Sequence, residues 1–132
     1  VEGGTGAAKA AGNYAASLYP ALLAQRQGYE QLLWTDGKTH QFIEESGTMN
    51  VMFIINNTLI TAPTHTGTIL KGITRDSVLK IARDWGMPVE ERFLSVEELE
   101  KAIQQNTLQE AFGTGTAATI AQIYKINIYG TD

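Results

Sequence analysis

Lys9 is the only charged residue between Glu2 and Arg26, and it sits in Thr5-Gly-Ala-Ala-Lys9-Ala-Ala-Gly-Asn-Tyr14. An amine among small apolar neighbours loses part of the solvation that favours its charged form, which is how imine-forming lysines become nucleophilic. Its plain alternative is a solvated surface lysine. A phosphate-binding P-loop is excluded, because that motif needs Gly-Lys followed by Ser or Thr, and Lys9 lies between Ala8 and Ala10. In Glu44-Glu45-Ser-Gly-Thr-Met-Asn50 two acids run into a glycine turn and then an apolar strand. Neighbouring carboxylates on a strand point to opposite faces, so at most one faces inward; a solvated strand end is the alternative. Gly72-Ile73-Thr74 offers a glycine and a hydroxyl at a helix start, where free N–H groups and the positive dipole end can hold an anion, although most such caps hold nothing. Gly113-Thr-Gly-Thr-Ala-Ala118 satisfies the loose pattern G-x-G-x-x-A. A dinucleotide site would need a helix after it, and strand-like residues follow instead, which leaves an anion cradle or an ordinary tight turn.

These residues must be positioned by a chain of 132 residues, 43% hydrophobic and 18% charged, which suits a single domain with a real core. A formal charge of -4 disfavours nucleic acid and anionic membrane as partners. With no cysteine, and with His40 and His65 far apart, there is no disulfide framework and no metal-ligand spacing. The longest apolar run, Val51 to Ile55, is strand-sized, so no membrane span is expected. The chain opens at Val1 without a signal-like pattern, and the expectation is a piece of a longer cytoplasmic protein.

The spacing of Tyr14, Leu18, Leu22 and Leu23 predicts a helix over 13–26, with Pro20 early in it or kinking it. Asp36-Gly37 predicts a hairpin between strands at 31–34 and 41–43, and Asn56-Asn57 a second between 51–55 and 59–61. Thr74 is expected to cap a helix reaching Trp85, and 89–94 to alternate as a strand. Ser95 and Glu98 form a capping box for a helix through Ile103, and strand character returns around Ala111-Phe112 and over 119–129. The fold class is mixed α/β without internal repeats.

The four candidate segments, in this order and near these separations, resemble one family: the class IV, fold type IV aminotransferases, and among them the branched-chain amino acid aminotransferases. Lys9-Ala-Ala-Gly-Asn-Tyr14 is similar to the family's Schiff-base lysine segment and Glu45-Ser-Gly-Thr-Met-Asn50 to its pyridine-nitrogen glutamate segment. Gly72-Ile-Thr-Arg75 resembles its phosphate turn and Phe112-Gly-Thr-Gly-Thr-Ala117 its second anion turn. The resemblance implies pyridoxal 5′-phosphate as cofactor, with Lys9 as its tether and as the base that shuttles a proton. It implies Glu45 against the pyridine nitrogen, Tyr14 on the ring oxygen, and Ile73 and Thr74 on the phosphate. Thr116 would reach phosphate or substrate, and Thr48 with the backbone of Ala117 would fix the substrate carboxylate. The implied reaction moves an amino group between leucine, isoleucine or valine and 2-oxoglutarate. It also implies a barrel-like mixed sheet with flanking helices, and a homodimer.

Residues 1–132 would then be the C-terminal, cofactor-carrying domain, without the N-terminal domain and the extreme C-terminus. That polypeptide alone is expected to be catalytically silent. Where some relatives carry a Cys-x-x-Cys pair after the second anion turn, this chain has Ala118 and Ala121, which excludes a thiol switch there. Three other readings stay open. They are another fold type IV enzyme, such as a D-amino acid aminotransferase or an aminodeoxychorismate lyase; a folded module without cofactor; and a nucleotide-binding module.

Overall fold

The alternating strand and helix signals become, in a computed structural model that describes residues 1–132, the order α1 (Ala11–Ala15), α2 (Leu18–Arg26), β1 (Leu33–Thr35), β2 (Ile43–Ser46), β3 (Met49–Ile55), β4 (Thr58–Thr61), α3 (Ile73–Asp84), β5 (Val89–Glu91), α4 (Val96–Gln104), β6 (Leu108–Thr114) and β7 (Ile120–Gln122). All seven strands form one sheet organised around β3. One edge of β3 pairs first with β2 and then with β4, while its other edge pairs with β6, all antiparallel. The sheet continues outward to β1, to β7 and, through the one parallel pairing, to β5.

Strand alternation explains why both faces of β3 are buried. Val51, Phe53 and Ile55 point to one face, where they pack with Ile60, Leu94 and the α4 residues Leu99 and Ala102. Met52 points to the other, against Leu59 and the α3 residues Leu79 and Ala82. Val51, Met52 and Phe53 are all at most 2% exposed, so each helix seals one side of the central strand.

The local signals hold where a turn is short. Asn56 and Asn57 have φ of 49° and 61°, the two left-handed residues that a two-residue hairpin between Ile55 and Thr58 requires. Ser95 caps α4 by accepting the Glu98 N–H at 3.0 Å. The reciprocal half of the capping box is absent, because the Glu98 carboxylate takes Arg92 instead, at 2.6 and 2.9 Å.

Three expectations are corrected and a fourth is refined. The helix over 13–26 breaks at Ala16–Ser17, where the Ser17 hydroxyl donates to the Tyr14 carbonyl at 2.7 Å; α2 then restarts with Pro20 in its first turn, where no intrahelical N–H is lost. The hairpin at Asp36-Gly37 is present, with β1 and β2 antiparallel, but its connection differs from a tight turn: the Asp36 carboxylate accepts backbone N–H groups of Lys38, Thr39, Gln41 and Phe42, which winds it into a wider loop. Thr74 does not cap α3; the cap position is Gly72, in the left-handed region at φ 68°. The strand over 89–94 ends at Glu91, the last residue in register with β4, and the Arg92 N–H closes the pairing on the Thr61 carbonyl at 3.0 Å. No helix is long and apolar enough to cross a membrane.

Ser95→Ala leaves the Glu98 N–H without its acceptor and is expected to destabilise the fold by about 1 kcal/mol, whereas Ser95→Gly costs only about a few tenths. Urea unfolding of the two variants beside the wild type checks the difference.

Candidate active site

Glu45 and Asn50 are cross-strand partners in β2 and β3, so their side chains leave the sheet on the same face. Between them they grip the backbone of one residue, Leu70. The Leu70 N–H donates to Glu45 Oε1 at 3.3 Å, and the Leu70 carbonyl accepts from Asn50 Nδ2 at 2.8 Å. Burial pushes the Glu45 carboxyl up to about 7; the Leu70 N–H pulls the other way, and Glu44 adds to the rise. The alternation argument also chooses between the two acids, since Glu45 borders the cleft described below and Glu44 does not.

The Gly47-Thr48 turn that joins β2 to β3 is tied down by β1. Trp34 Nε1 donates to the Gly47 carbonyl at 3.1 Å, and the Gly47 N–H donates to the Leu32 carbonyl at 2.8 Å. Thr48 is thereby presented, exposed, at the end of the pair that carries Glu45.

Two further turns close on the same region. At Gly72 a Cβ would stand 2.1 Å from Asn50 Oδ1, so only glycine admits both the left-handed backbone and the close approach of Asn50. Ile73 and Thr74 follow as the first residues of α3, with N–H groups that no earlier turn of helix can satisfy. Ile73 is 89% exposed, so its importance lies in its backbone and not in packing. The Thr74 hydroxyl donates to the Gly115 carbonyl at 3.3 Å, which joins the α3 start to the turn after β6. That turn rests on Met49: a Cβ at Gly113 or Gly115 would meet its side chain at 2.9 or 3.1 Å. Thr116 and Ala117 lie beyond it, exposed.

Lys9 comes from the segment before α1. Asn13 folds this segment back on itself, its Nδ2 donating to the carbonyls of Thr5 at 2.8 Å and Ala8 at 2.9 Å. Gly6 lies against the backbone of Thr68, two residues from Leu70, so close that a Cβ would be 2.0 Å from the Thr68 carbonyl oxygen. The desolvated lysine expected from small neighbours is not found, because Lys9 is exposed; glycine and alanine here allow close approach to the loop and leave the amine open.

The result is one open cleft of about 1290 Å³ bordered by Lys9, Tyr14, Glu45, Thr48, Ile73, Thr116 and Ala117. Seven of the eight expected site residues are therefore brought together, and Thr74 stands one residue behind the rim with its hydroxyl turned to Gly115. Sequence reasoning did not single out Asn50, Met49, Thr114 or Arg75. Asn50 and Arg75 lay inside quoted motifs, but their partners are 20 and 16 residues away, beyond any local pattern.

Residues 5–126 match the Amino-transferase class IV family, and the chain belongs to it. It is 45% identical over 130 residues, 98% of its own length and 36% of the relative's, to a branched-chain-amino-acid transaminase of Bacillus subtilis. Among solved structures it is similar to the branched-chain amino acid aminotransferase of Escherichia coli, with 35% identity and a TM-score of 0.77 over 95% of this chain and 39% of that one. It is also similar to the branched-chain amino acid aminotransferase of Thermobaculum terrenum in its PLP form, with 32% identity and a TM-score of 0.75 over 90% and 36%. The fold is that of the fold type IV aminotransferases, as the motifs implied, and the chain spans about a third of the length of the relatives it matches.

The raised Glu45 carboxyl makes a prediction for the ligand-free protein. The folded state binds this proton more tightly than the unfolded chain, so the stability it adds is complete below the ordinary value of 4.5 and is lost as pH rises to about 7. Glu45→Gln is expected to flatten that decline, read as urea midpoints taken below and above this window. Equal slopes for the two proteins would count against a buried carboxyl.

Proposed function

We propose that these residues form the cofactor-carrying part of a longer pyridoxal phosphate-dependent aminotransferase that moves amino groups between branched-chain amino acids and 2-oxoglutarate. The observation that carries the reading is the convergence on one cleft of an exposed lysine, a desolvated carboxylate and two glycine turns, in a chain of this family. The relatives named for branched-chain substrates, and the solved relative in its PLP form, support the choice of substrate and cofactor.

The residues suit the group. Gly72 leaves a cradle that any Cβ would fill, and Thr114, 1% exposed and also on the cleft wall, has a buried hydroxyl with no partner. When bound, the cofactor supplies an aldehyde that takes up the amino group and a pyridine ring that accepts electrons from the substrate Cα.

Lys9, exposed at the cleft, would hold the aldehyde, and its Nζ, when free, would take the proton from the substrate Cα. Glu45 would accept the N–H of the pyridine nitrogen; a cation at that point would favour the carboxylate and offset the burial that raises Glu45 in the ligand-free protein. The Tyr14 hydroxyl would donate to the ring oxygen. Backbone N–H groups of Ile73 and Thr74, at the positive end of α3, would hold the phosphate together with Thr116. Thr48 and the Ala117 N–H orient the substrate carboxylate, and Met49, Ala118 and Ile123 offer apolar wall to its side chain. We place the longer enzyme in the cytoplasm as a homodimer, as the resemblance implies.

In the full chain, borohydride reduction with pyridoxal phosphate is expected to leave a pyridoxyl group on the peptide containing Lys9, detected by mass. Lys9→Ala should lose transamination of leucine, isoleucine and valine by at least about 100-fold. Turnover that survives Lys9→Ala would contradict the role of Lys9, and a preference for D-alanine over the branched-chain substrates would contradict the choice of substrate.

A further inference from the structure

Arg75 is the one charged side chain among the buried residues, only 4% exposed, and it is the third residue of α3. Local rules argue against it there. A cation in the first turn of a helix opposes the dipole, and a buried charge is costly unless it is paired. The pairing is incomplete: Nη2 donates to the Ala62 carbonyl at 2.9 Å and to Glu91 Oε1 at 2.8 Å, while Nε has no partner. Glu91 is moreover shared, its other oxygen taking Arg83 at 2.9 Å. A buried pair of this kind is weak as a source of stability, since apolar residues of similar volume often serve as well or better. Rule-breaking residues of this sort tend to mark function.

Its geometry shows what it does. Ala62 directly follows β4 and Glu91 ends β5, so the guanidinium pins the first turn of α3 to the sheet at the two strands beneath it. Farther along, α3 meets the sheet through apolar contacts such as Leu79 and Ala82, which restrain rotation and sliding less sharply than hydrogen bonds do, and through the half-exposed Arg83, which pairs with the other oxygen of Glu91 near the far end of the helix. A Cβ at Gly72 would lie 3.3 Å from the Arg75 Cβ, so the anchored residue sits directly under the glycine cradle. Arg75 does not border the cleft, whereas Gly72, Ile73 and the unpartnered Thr114 hydroxyl do.

Building on the cofactor reading above, we propose that Arg75 is a positioning residue for the anion turn: it fixes the direction of the Ile73 and Thr74 N–H groups and so sets the preference for a phosphorylated over an unphosphorylated pyridoxal. It acts through the helix start and never touches the ligand. A merely structural ion pair would weaken both ligands together, because it would loosen the whole cleft.

The test is the ratio of affinities for pyridoxal phosphate and pyridoxal, titrated on the full chain by absorbance, for wild type, Arg75→Met and Glu91→Gln. Because small misplacements of a positioning group can cost up to about 100-fold, Arg75→Met is expected to weaken pyridoxal phosphate at least about tenfold while pyridoxal changes less than about twofold. Glu91→Gln, at a half-exposed carboxylate, should lower the ratio in the same direction by a smaller factor, and it carries the test if Arg75→Met does not fold. A ratio equal to or above that of wild type in the folded variant, including equal weakening of both ligands, overturns the role of Arg75. A wild-type chain that shows no preference for the phosphorylated form overturns the cofactor reading itself.

Discussion

The backbone of Leu70 is held at both of its polar groups, its N–H by Glu45 and its carbonyl by Asn50, and the two side chains are opposite each other on paired strands. Their separation is set by β-pairing and hardly varies, so one strand pair fixes at once the position of the acid and the path of the chain into Gly72 and α3. Everything else at the cleft is referred to this clamp. Asn50 Oδ1 faces Gly72, Thr74 reaches from α3 to Gly115, and Gly6 brings the Lys9 segment against Thr68. A register slip of one residue between β2 and β3 would turn Glu45 and Asn50 away and dismantle all of these links together.

The clamp is supported by packing that is itself conventional. The two helices seal opposite faces of β3, and the strand's apolar centre stops at Asn50, where the buried core gives way to the polar floor of the cleft. Polarity is concentrated there at a cost to stability. Glu45 is desolvated with a single, rather long N–H partner, and Thr114 keeps an unpaired hydroxyl. Groups arranged for a ligand and not for one another give this pattern, and a bound anion and cation would complete them.

Much of the fold was legible from local signals. Asn56-Asn57 and the Ser95 cap involve neighbours within three residues, and strand alternation limited the inward-facing acids to one, which the family resemblance named as Glu45. Asp36-Gly37 marked the hairpin but not its width, because the Asp36 side chain gathers four amides into a wider loop, a competition that the dipeptide does not reveal. Thr74 misled because a hydroxyl near a helix start resembles a cap, whereas here the glycine before Ile73 takes that position and the hydroxyl serves a contact 41 residues away. Lys9 could not be chosen by composition, since a lone exposed lysine in a glycine- and alanine-rich loop has no local mark of function; family resemblance selected it. Asn50 and Arg75 were invisible as positioning groups for the same reason, as their roles exist only once distant segments meet.

The proposed placement of Glu45 against a cationic ring nitrogen is tested directly by the magnetic resonance of an isotope-labelled pyridine nitrogen in pyridoxal phosphate bound to the full chain. With Glu45 where the clamp puts it, the nitrogen is protonated in the wild type and loses that proton in Glu45→Gln, with a matching shift of its resonance. A nitrogen that is unprotonated in the wild type, or that resonates identically in both proteins, would contradict the site as built from this strand pair.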